Sequence, residues 1–382
     1  MFDVIVCGAG PAGAVAATVL ARGGARVLMV DRAQFPRDKL CGDTINPGAL
    51  AVLRRLALTA TFESAALPID GMIVTGDRGV RVQCEYGGGL HGLALLRRDL
   101  DAALVHAAID AGARFEPGVI VRGPLLDDRG GIRGVTFAGR DGQDVRVPAP
   151  MVIAADGRRS RVALAVGLLR HPRRPRRWAI GAYFNGVAGV TTFGEMHVRA
   201  GRYIGVAPLP SGDANVCLVA DRDGAHDDPA AVLLDAIARE PDLRDRFAAA
   251  RMIGAPSVLG PLAVDASAAG MPGLLLAGDA AGFIDPMTGD GLRFAVRGGE
   301  LAAHVALGAL AGQRGLPHAR LAQLRRREFA GKWRFNRALR AMVSYDATVA
   351  LAGRVAHTAP WLLRQAIGFA GDVPRESLIP DR

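Results

Sequence analysis

The hexapeptide Gly8-Ala9-Gly10-Pro11-Ala12-Gly13 is the feature that most restricts what this chain can become. It follows an apolar, β-prone run, Phe2 to Cys7, and opens an Ala-rich stretch, Pro11 to Arg22, that reads as a helix. A second buried run, Ala25 to Val30, ends in Asp31. Strand, glycine turn, helix and strand make a β-α-β unit in which Gly8 permits a tight turn, Gly10 lets backbone approach a pyrophosphate and Gly13 lets helix pack on sheet. The helix N-terminus favours anionic phosphates, and Asp31 stands where a carboxylate takes adenosine ribose hydroxyls. A glycine turn of this kind without the terminal acid would be weak evidence; here all the parts agree.

This unit does not by itself separate FAD from NAD. Two later segments favour FAD. Gly278-Asp279-Ala280-Ala281-Gly282 follows the buried run 273–277 and leads into Asp285-Pro286-Met287-Thr288-Gly289-Asp290-Gly291-Leu292, ahead of a long predicted helix to about residue 311. Free N–H groups and the positive dipole at that helix start suit the negative charge of a reduced flavin. Ala154-Ala155-Asp156-Gly157 places another acid and glycine at a strand-to-helix turn. Taken singly, Asp156 or Asp279 reads equally well as a helix N-cap.

Between these segments the text changes character. Short strands are predicted at 71–75 and 80–86, a helix at 97–111, a strand at 114–121, and a hairpin around Asp127 to Gly131 and Asp141-Gly142. After a Pro- and Arg-rich linker, 171–177, strands are expected at 178–186, 190–199, 202–208 and 215–220, with helical text over 229–250. The fold class is therefore α/β: a Rossmann-like FAD-binding domain of the glutathione-reductase type with a parallel sheet, an inserted antiparallel-sheet substrate domain, and C-terminal helices. The boundaries assign 1–75, 97–170 and 265–315 to a discontinuous FAD domain, 76–96 and 171–264 to the substrate domain, and 316–382 to the helical region.

These motifs together resemble the flavoprotein superfamily of aromatic hydroxylases, flavin halogenases and geranylgeranyl reductases, from Phe2 to about Leu310. The resemblance implies that the first motif holds the FAD pyrophosphate, that Asp156 and Gly157 contribute to FAD and transient NAD(P)H binding, that Asp279 binds FAD, and that Arg97, at the start of Arg97-Arg98-Asp99-Leu100-Asp101, contacts the cofactor. An exposed helix charge is the competing reading of Arg97. Pro36-Arg37-Asp38-Lys39-Leu40-Cys41-Gly42 and Pro286 to Leu292 are most similar to the geranylgeranyl-reductase branch, whose cysteine lies near the flavin. The cofactor-binding set is then Gly8, Gly10, Pro11, Ala12, Gly13, Asp31, Arg32, Lys39, Cys41, Gly42, Arg97, Val121, Asp156, Gly157, Gly278, Asp279, Pro286, Gly289, Gly291 and Leu292. The chain departs from lipid reductases at Tyr203-Ile204-Gly205-Val206-Ala207-Pro208-Leu209-Pro210, where their tryptophan-containing motif is missing, and it lacks the Trp-x-Trp-x-Ile-Pro signature of tryptophan halogenases.

Cys41 and His91 are the candidate catalytic residues. Cys41 reads alternatively as a small buried hydrophobe, and His91 as an ordinary loop histidine. The expected function is that of an FAD-dependent oxidoreductase, read first as an NAD(P)H-using monooxygenase that hydroxylates or epoxidises an apolar small molecule. Alternatives are a geranylgeranyl-reductase-like reductase of C=C bonds, a flavin oxidase or dehydrogenase reduced by its own substrate, and a non-catalytic dinucleotide-binding module. NAD(P)H is expected only as a transient reductant, since no second dinucleotide fingerprint occurs.

The four cysteines are scattered without a C-x-x-C pair, so no metal is expected. The net charge of +10 is almost all arginine, lysine occurring only at Lys39 and Lys332, and no nucleic-acid-binding motif accompanies it. No apolar run spans a bilayer and no leader is read at the start, so a cytoplasmic location is expected. The basic, aromatic-interleaved stretch from Arg325 to Arg340 reads as a capping helix in preference to a peripheral membrane helix.

Overall fold

The computed structural model describes residues 1–40, 42–139, 143–172, 177–221 and 228–373. Asp141-Gly142 of the expected hairpin, residues 173–176 of the expected linker and Cys41 lie outside the described residues.

Val4–Cys7 is apolar at every position, a pattern stable only when both faces of the strand are covered. It lies inside a six-stranded sheet in the order Gly270–Met271, Leu274–Leu276, Met151–Ala154, Val4–Cys7, Val27–Asp31, Arg114–Pro117. All pairings but the outermost, between Gly270–Met271 and Leu274–Leu276, are parallel. Cys7 stands beside Ala154, and Ala154 beside Leu276. That register brings the loops after three distant strands to one sheet edge, the carboxyl edge where open parallel sheets bind ligands.

Helices cover one face of this sheet. Pro11–Arg22, Arg97–Asp110 and Gly291–Leu310 pack there through Val15, Leu20, Leu100, Leu104, Leu301 and Ala302. A Cβ on Gly299 would sit 2.2 Å from the Ala12 carbonyl oxygen, so the long helix crosses the first one backbone to backbone. The other face is covered by the three-stranded sheet of Val121–Leu126, Ile132–Ala138 and Asp144–Pro148.

A seven-stranded sheet forms the second layer, in the order Arg251–Leu259, Arg177–Asn185, Ala214–Asp221, Arg202–Pro208, Phe193–Arg199, Gly71–Thr75, Arg81–Glu85. Alternate residues point to opposite faces. Ile180, Phe184, Ile204, Val206, Val216 and Leu218 bury against the Pro229–Ala238 helix, while Ala179, Val198, Tyr203 and Val219 face the other way. Three helices, Pro317–Val343, Asp346–Thr358 and Pro360–Gly371, close the C-terminal end.

Several expected boundaries move. Gly71–Thr75, assigned to the first domain by the boundary at 75, pairs with Phe193–Arg199 and Arg81–Glu85 and belongs to the second sheet. Gly92–Ala94, assigned to the second domain, bonds instead to Thr44–Ile45 and Leu67–Ile69. The strand expected over 114–121 breaks at Gly118, whose φ of +76° turns the chain, and resumes at Val121. The helical text over 229–250 stops at Ala238, because the chain turns before Pro241 opens a separate short helix.

Candidate functional site: a dinucleotide cradle opening on an apolar chamber

The glycines of the first turn do different work. Gly8 adopts φ +98°, and a Cβ there would lie 2.5 Å from the Ala155 carbonyl oxygen. A Cβ on Gly13 would lie 1.8 Å from the Gly8 oxygen, so Gly13 serves packing and is not among the cavity-lining residues. At Gly10 a Cβ would meet only the Arg37 guanidinium, at 3.5 Å, and would project into the cavity. Gly10 thus keeps open the space a pyrophosphate needs.

Asp31 is held facing the same space. Its Oδ2 accepts from the Ala9 N–H at 2.8 Å and its Oδ1 from the Ala33 N–H at 2.9 Å. The remaining lone pairs are available to ribose hydroxyls. Asp156 accepts from the Arg161 N–H at 3.1 Å through Oδ2, while its buried Oδ1 has no hydrogen-bond partner among the described residues. Burial raises its pKa to about 6. An acceptor left in that condition costs about 1–3 kcal/mol until a donor arrives, and Asp156 lines the cavity from which a ligand could supply one. Neither acid caps a helix: Ser160 caps the Arg161–Ala165 helix, and Ala277 precedes the turn containing Asp279.

Arg97 is not a solvated charge. It is buried, and its guanidinium binds Asp101 twice, at 2.8 and 2.9 Å, while its N–H donates to Asp43 at 2.8 Å. Asp43 in turn accepts from Tyr183 at 2.9 Å and from Asn215, which ties this helix start to the second sheet. Lys39 lines the cavity, where burial and the neighbouring Arg97 charge push its ammonium pKa down against the opposing pull of Asp279.

The other end of the cradle is the lead into the Gly291–Leu310 helix. Asp285 accepts from the Met287 N–H at 3.1 Å, from the Tyr203 hydroxyl at 2.5 Å and from Arg177 at 3.2 Å. Tyr203 and Arg177 come from the second sheet, so that layer fixes the loop. Lys332, from the Pro317–Val343 helix, donates to Asp290 at 3.0 Å and to the carbonyls of Phe369 and Ala370 at 2.6 and 2.8 Å. Gly291 and Leu292 then present the helix start to the cavity.

The cavity encloses about 960 Å3. Of the expected cofactor residues, Gly8, Gly10, Pro11, Ala12, Asp31, Arg32, Lys39, Gly42, Arg97, Val121, Asp156, Gly157, Gly278, Asp279, Pro286, Gly289, Gly291 and Leu292 all line it. His91 does not: its loop turns outward through Gly87, Gly88 and Gly89, all with positive φ, and its ring lies 3.0 Å from Arg54 on the exposed side. The far end of the cavity is an apolar chamber between the second sheet and the C-terminal helices, with Met72, Met196, Val198, Leu339, Met342 and Ile367 among its walls. Tyr203, Arg177 and Lys332 were not read from the sequence as site residues. Lys332 left one signal, being one of only two lysines in the chain.

Away from the cavity His197, Glu240 and Asp242 approach one another. Arg199 pairs with both carboxylates, and His197 is held by Glu195 at 3.1 Å and Thr75 at 2.9 Å, so the cluster is an ion-pair network. The Arg325–Arg340 segment lies in a capping helix: Arg325, Phe329, Lys332 and Asn336 are buried, and Phe335, Leu339 and Met342 face the chamber. Among the described residues no helix is long and apolar enough to cross a membrane.

The pyrophosphate space, the fixed acid and the orphaned acceptor fit FAD. The family model described as "FAD binding domain" matches residues 1–315. Menaquinone reductase of Mycolicibacterium smegmatis is 31% identical over 79% of this chain and 76% of its own length. Digeranylgeranylglycerophospholipid reductase 1 of Methanopyrus kandleri is 33% identical over 81% of each. Among solved structures, a geranylgeranyl bacteriochlorophyll reductase-like protein from Thermoplasma acidophilum superposes with a TM-score of 0.78, covering 99% of this chain and 94% of its own, at 23% identity. The last likeness is one of fold.

Proposed function

Because this chain belongs to the FAD binding domain family and is an FAD-dependent oxidoreductase, we propose that it reduces a C=C bond of an apolar, isoprenoid-type lipid, with NAD(P)H as reductant. The observation that carries this reading is the chamber itself, apolar at its far end and continuous with the cradle. A long hydrocarbon chain gains roughly 0.8 kcal/mol for each methylene it buries there. Both curated relatives carry reductase names, one for a quinone and one for a lipid.

FAD, when bound, supplies the hydride, and NAD(P)H restores it. In the net reaction one alkene carbon gains that hydride and its neighbour a proton, while NAD(P)H is oxidised. The residues of this chain bind and exclude. Gly10, Asp31, Asp156 and Asp279 hold the dinucleotide along the sheet edge, and the Gly291 helix start offers positive potential to the ring end. Met196, Val198, Leu339 and Met342 keep water from the reacting end.

Monooxygenation is the second reading, favoured by the strand that carries Tyr203, where the lipid-reductase tryptophan motif is missing. The deciding test incubates FAD-loaded protein with NADPH or NADH and a polyprenyl substrate, without oxygen and then under labelled oxygen, with products weighed by mass spectrometry. A product carrying two added hydrogens without oxygen supports reduction. Labelled oxygen in the product, formed only aerobically, supports the second reading.

A further inference from the structure

The C-terminal helical hairpin exposes apolar side chains at its joint. Asp346–Thr358 and Pro360–Gly371 meet at Ala359. Val355 lies in the last turn of the first helix and Leu351 one turn earlier, on the same side. Trp361 and Leu362 occupy the first turn of the second. Their exposures are 57% for Leu351, 37% for Val355, 60% for Trp361 and 42% for Leu362. The neighbouring faces of both helices are already packed, with Ala356 and Leu363 against Val80 and Val82. None of the four belongs to the buried clusters that hold the hairpin to the body.

The charge around them is mainly positive: the packed neighbours add Glu85 and Asp77, the latter paired with Arg199, against Arg78 and Arg81. Arg354 and Arg364 are exposed beside the apolar residues, and Arg334 and Arg337 are exposed on the neighbouring helix. Over residues 331–370 the sequence has one acid, Asp346, against Arg334, Arg337, Arg340, Arg354 and Arg364, the sixth cation, Lys332, being buried on Asp290 and Asp372. Exposed tryptophan and leucine framed by arginine match the apolar-below, anionic-above profile of a bilayer surface.

We propose that this joint docks the enzyme on an anionic lipid bilayer, with Trp361 and Leu362 inserted at the headgroup boundary and Arg354 and Arg364 on lipid phosphates. The helix that carries Trp361 and Leu362 also lines the chamber, through Leu363, Ala366, Ile367 and Ala370. Docking there sets a wall of the chamber against the lipid phase. The docking stands on the surface alone and holds whichever reaction the chamber performs.

The test is flotation of the FAD-loaded full chain with vesicles of phosphatidylcholine alone and of phosphatidylcholine mixed equally with phosphatidylglycerol. The expected result is binding to the anionic vesicles, lost in Trp361→Glu/Leu362→Glu and weakened about fivefold for each of Arg354→Ala and Arg364→Ala. Light scattering and the flavin spectrum of each variant establish that it is folded and loaded. If the unmodified chain fails to float with anionic vesicles, or floats equally well with the double glutamate variant, the proposal is wrong. A dimer of the unmodified chain that the glutamates dissociate, without flotation, would assign the joint to a second copy instead.

Discussion

Lys332 lies 3.0 Å from Asp290, the residue immediately before the helix whose first turn faces the cavity. Both are buried, and the same ammonium holds the carbonyls of Phe369 and Ala370. One side chain thus ties the last helix to the ring end of the cradle. Replacing it as Lys332→Met leaves a buried carboxylate without its counter-ion, which costs about 3–5 kcal/mol. Urea unfolding is expected to show that loss, and FAD titration a weaker complex. A variant as stable as the parent would mean that Asp290 finds another partner.

Asp156 gives a pH dependence with a definite sign. Its folded pKa of about 6 lies above the value near 3.9 of an unfolded aspartate. The folded, FAD-free protein therefore holds this proton more tightly than the unfolded chain does. The carboxylate costs nothing below about pH 4, its penalty grows as pH rises to 6, and above that the penalty is complete, at about 2–3 kcal/mol. Asp156→Asn is expected to make the FAD-free protein more stable than the parent at pH 7.5 but not at pH 4, while weakening FAD about tenfold or more through the lost charged acceptor. Parallel stability curves for the two proteins across that window would remove Asp156 from this role.

The glycines of the first turn separate folding from binding. Gly13→Ala puts a methyl group against the Gly8 carbonyl and is expected to destabilise by about 3 kcal/mol or more. Gly10→Ala meets only Arg37 and is expected to change stability by less than about 0.5 kcal/mol while sharply reducing FAD affinity. Thermal melts of the FAD-free variants beside fluorescence titration with FAD distinguish the two. If Gly10→Ala binds FAD as the parent does, the pyrophosphate does not pass over that residue.

Tyr203→Phe keeps the ring and removes the hydroxyl that donates to Asp285. Asp285 retains Arg177 and the Met287 N–H, so the fold should survive a loss of about 1–3 kcal/mol. Turnover is expected to fall with it, because Asp285 shapes the Pro286–Thr288 turn that lines the cavity. Steady-state rates at saturating substrate, beside urea unfolding, would show whether both losses occur together.

His91→Ala is expected to do little. The ring is half-buried, pairs with Arg54 and lies away from the cavity, so stability should stay within about 0.5 kcal/mol and turnover should be intact. A pH–rate profile altered by this substitution would place His91 back among the acting groups.

What the sequence determined by itself was the first β-α-β unit and the acids of the later turns. Gly8, Gly10, Gly13 and Asp31 are legible because each meets a local demand, a turn, an open space, a close packing or a strand end, that few residue types satisfy. The cradle's later pieces, Asp156 and Asp279, were legible for the same reason, each closing a buried strand. What only the tertiary structure decided was which distant residues brace them. Tyr203 and Arg177 meet Asp285, and Lys332 meets Asp290, across separations of 82, 108 and 42 residues. His91 read as available because its loop carries no local sign of direction, and the glycines before it turn it outward. Gly71–Thr75 changed sides because a strand's sheet is chosen by the partners that fill its hydrogen bonds, and the partner that joins it to the second sheet, Phe193–Arg199, lies far along the chain. The Cβ of Gly13 is forbidden by an oxygen only five residues back; the proton of Tyr203 is claimed by an acid that becomes its neighbour only once the two sheets close.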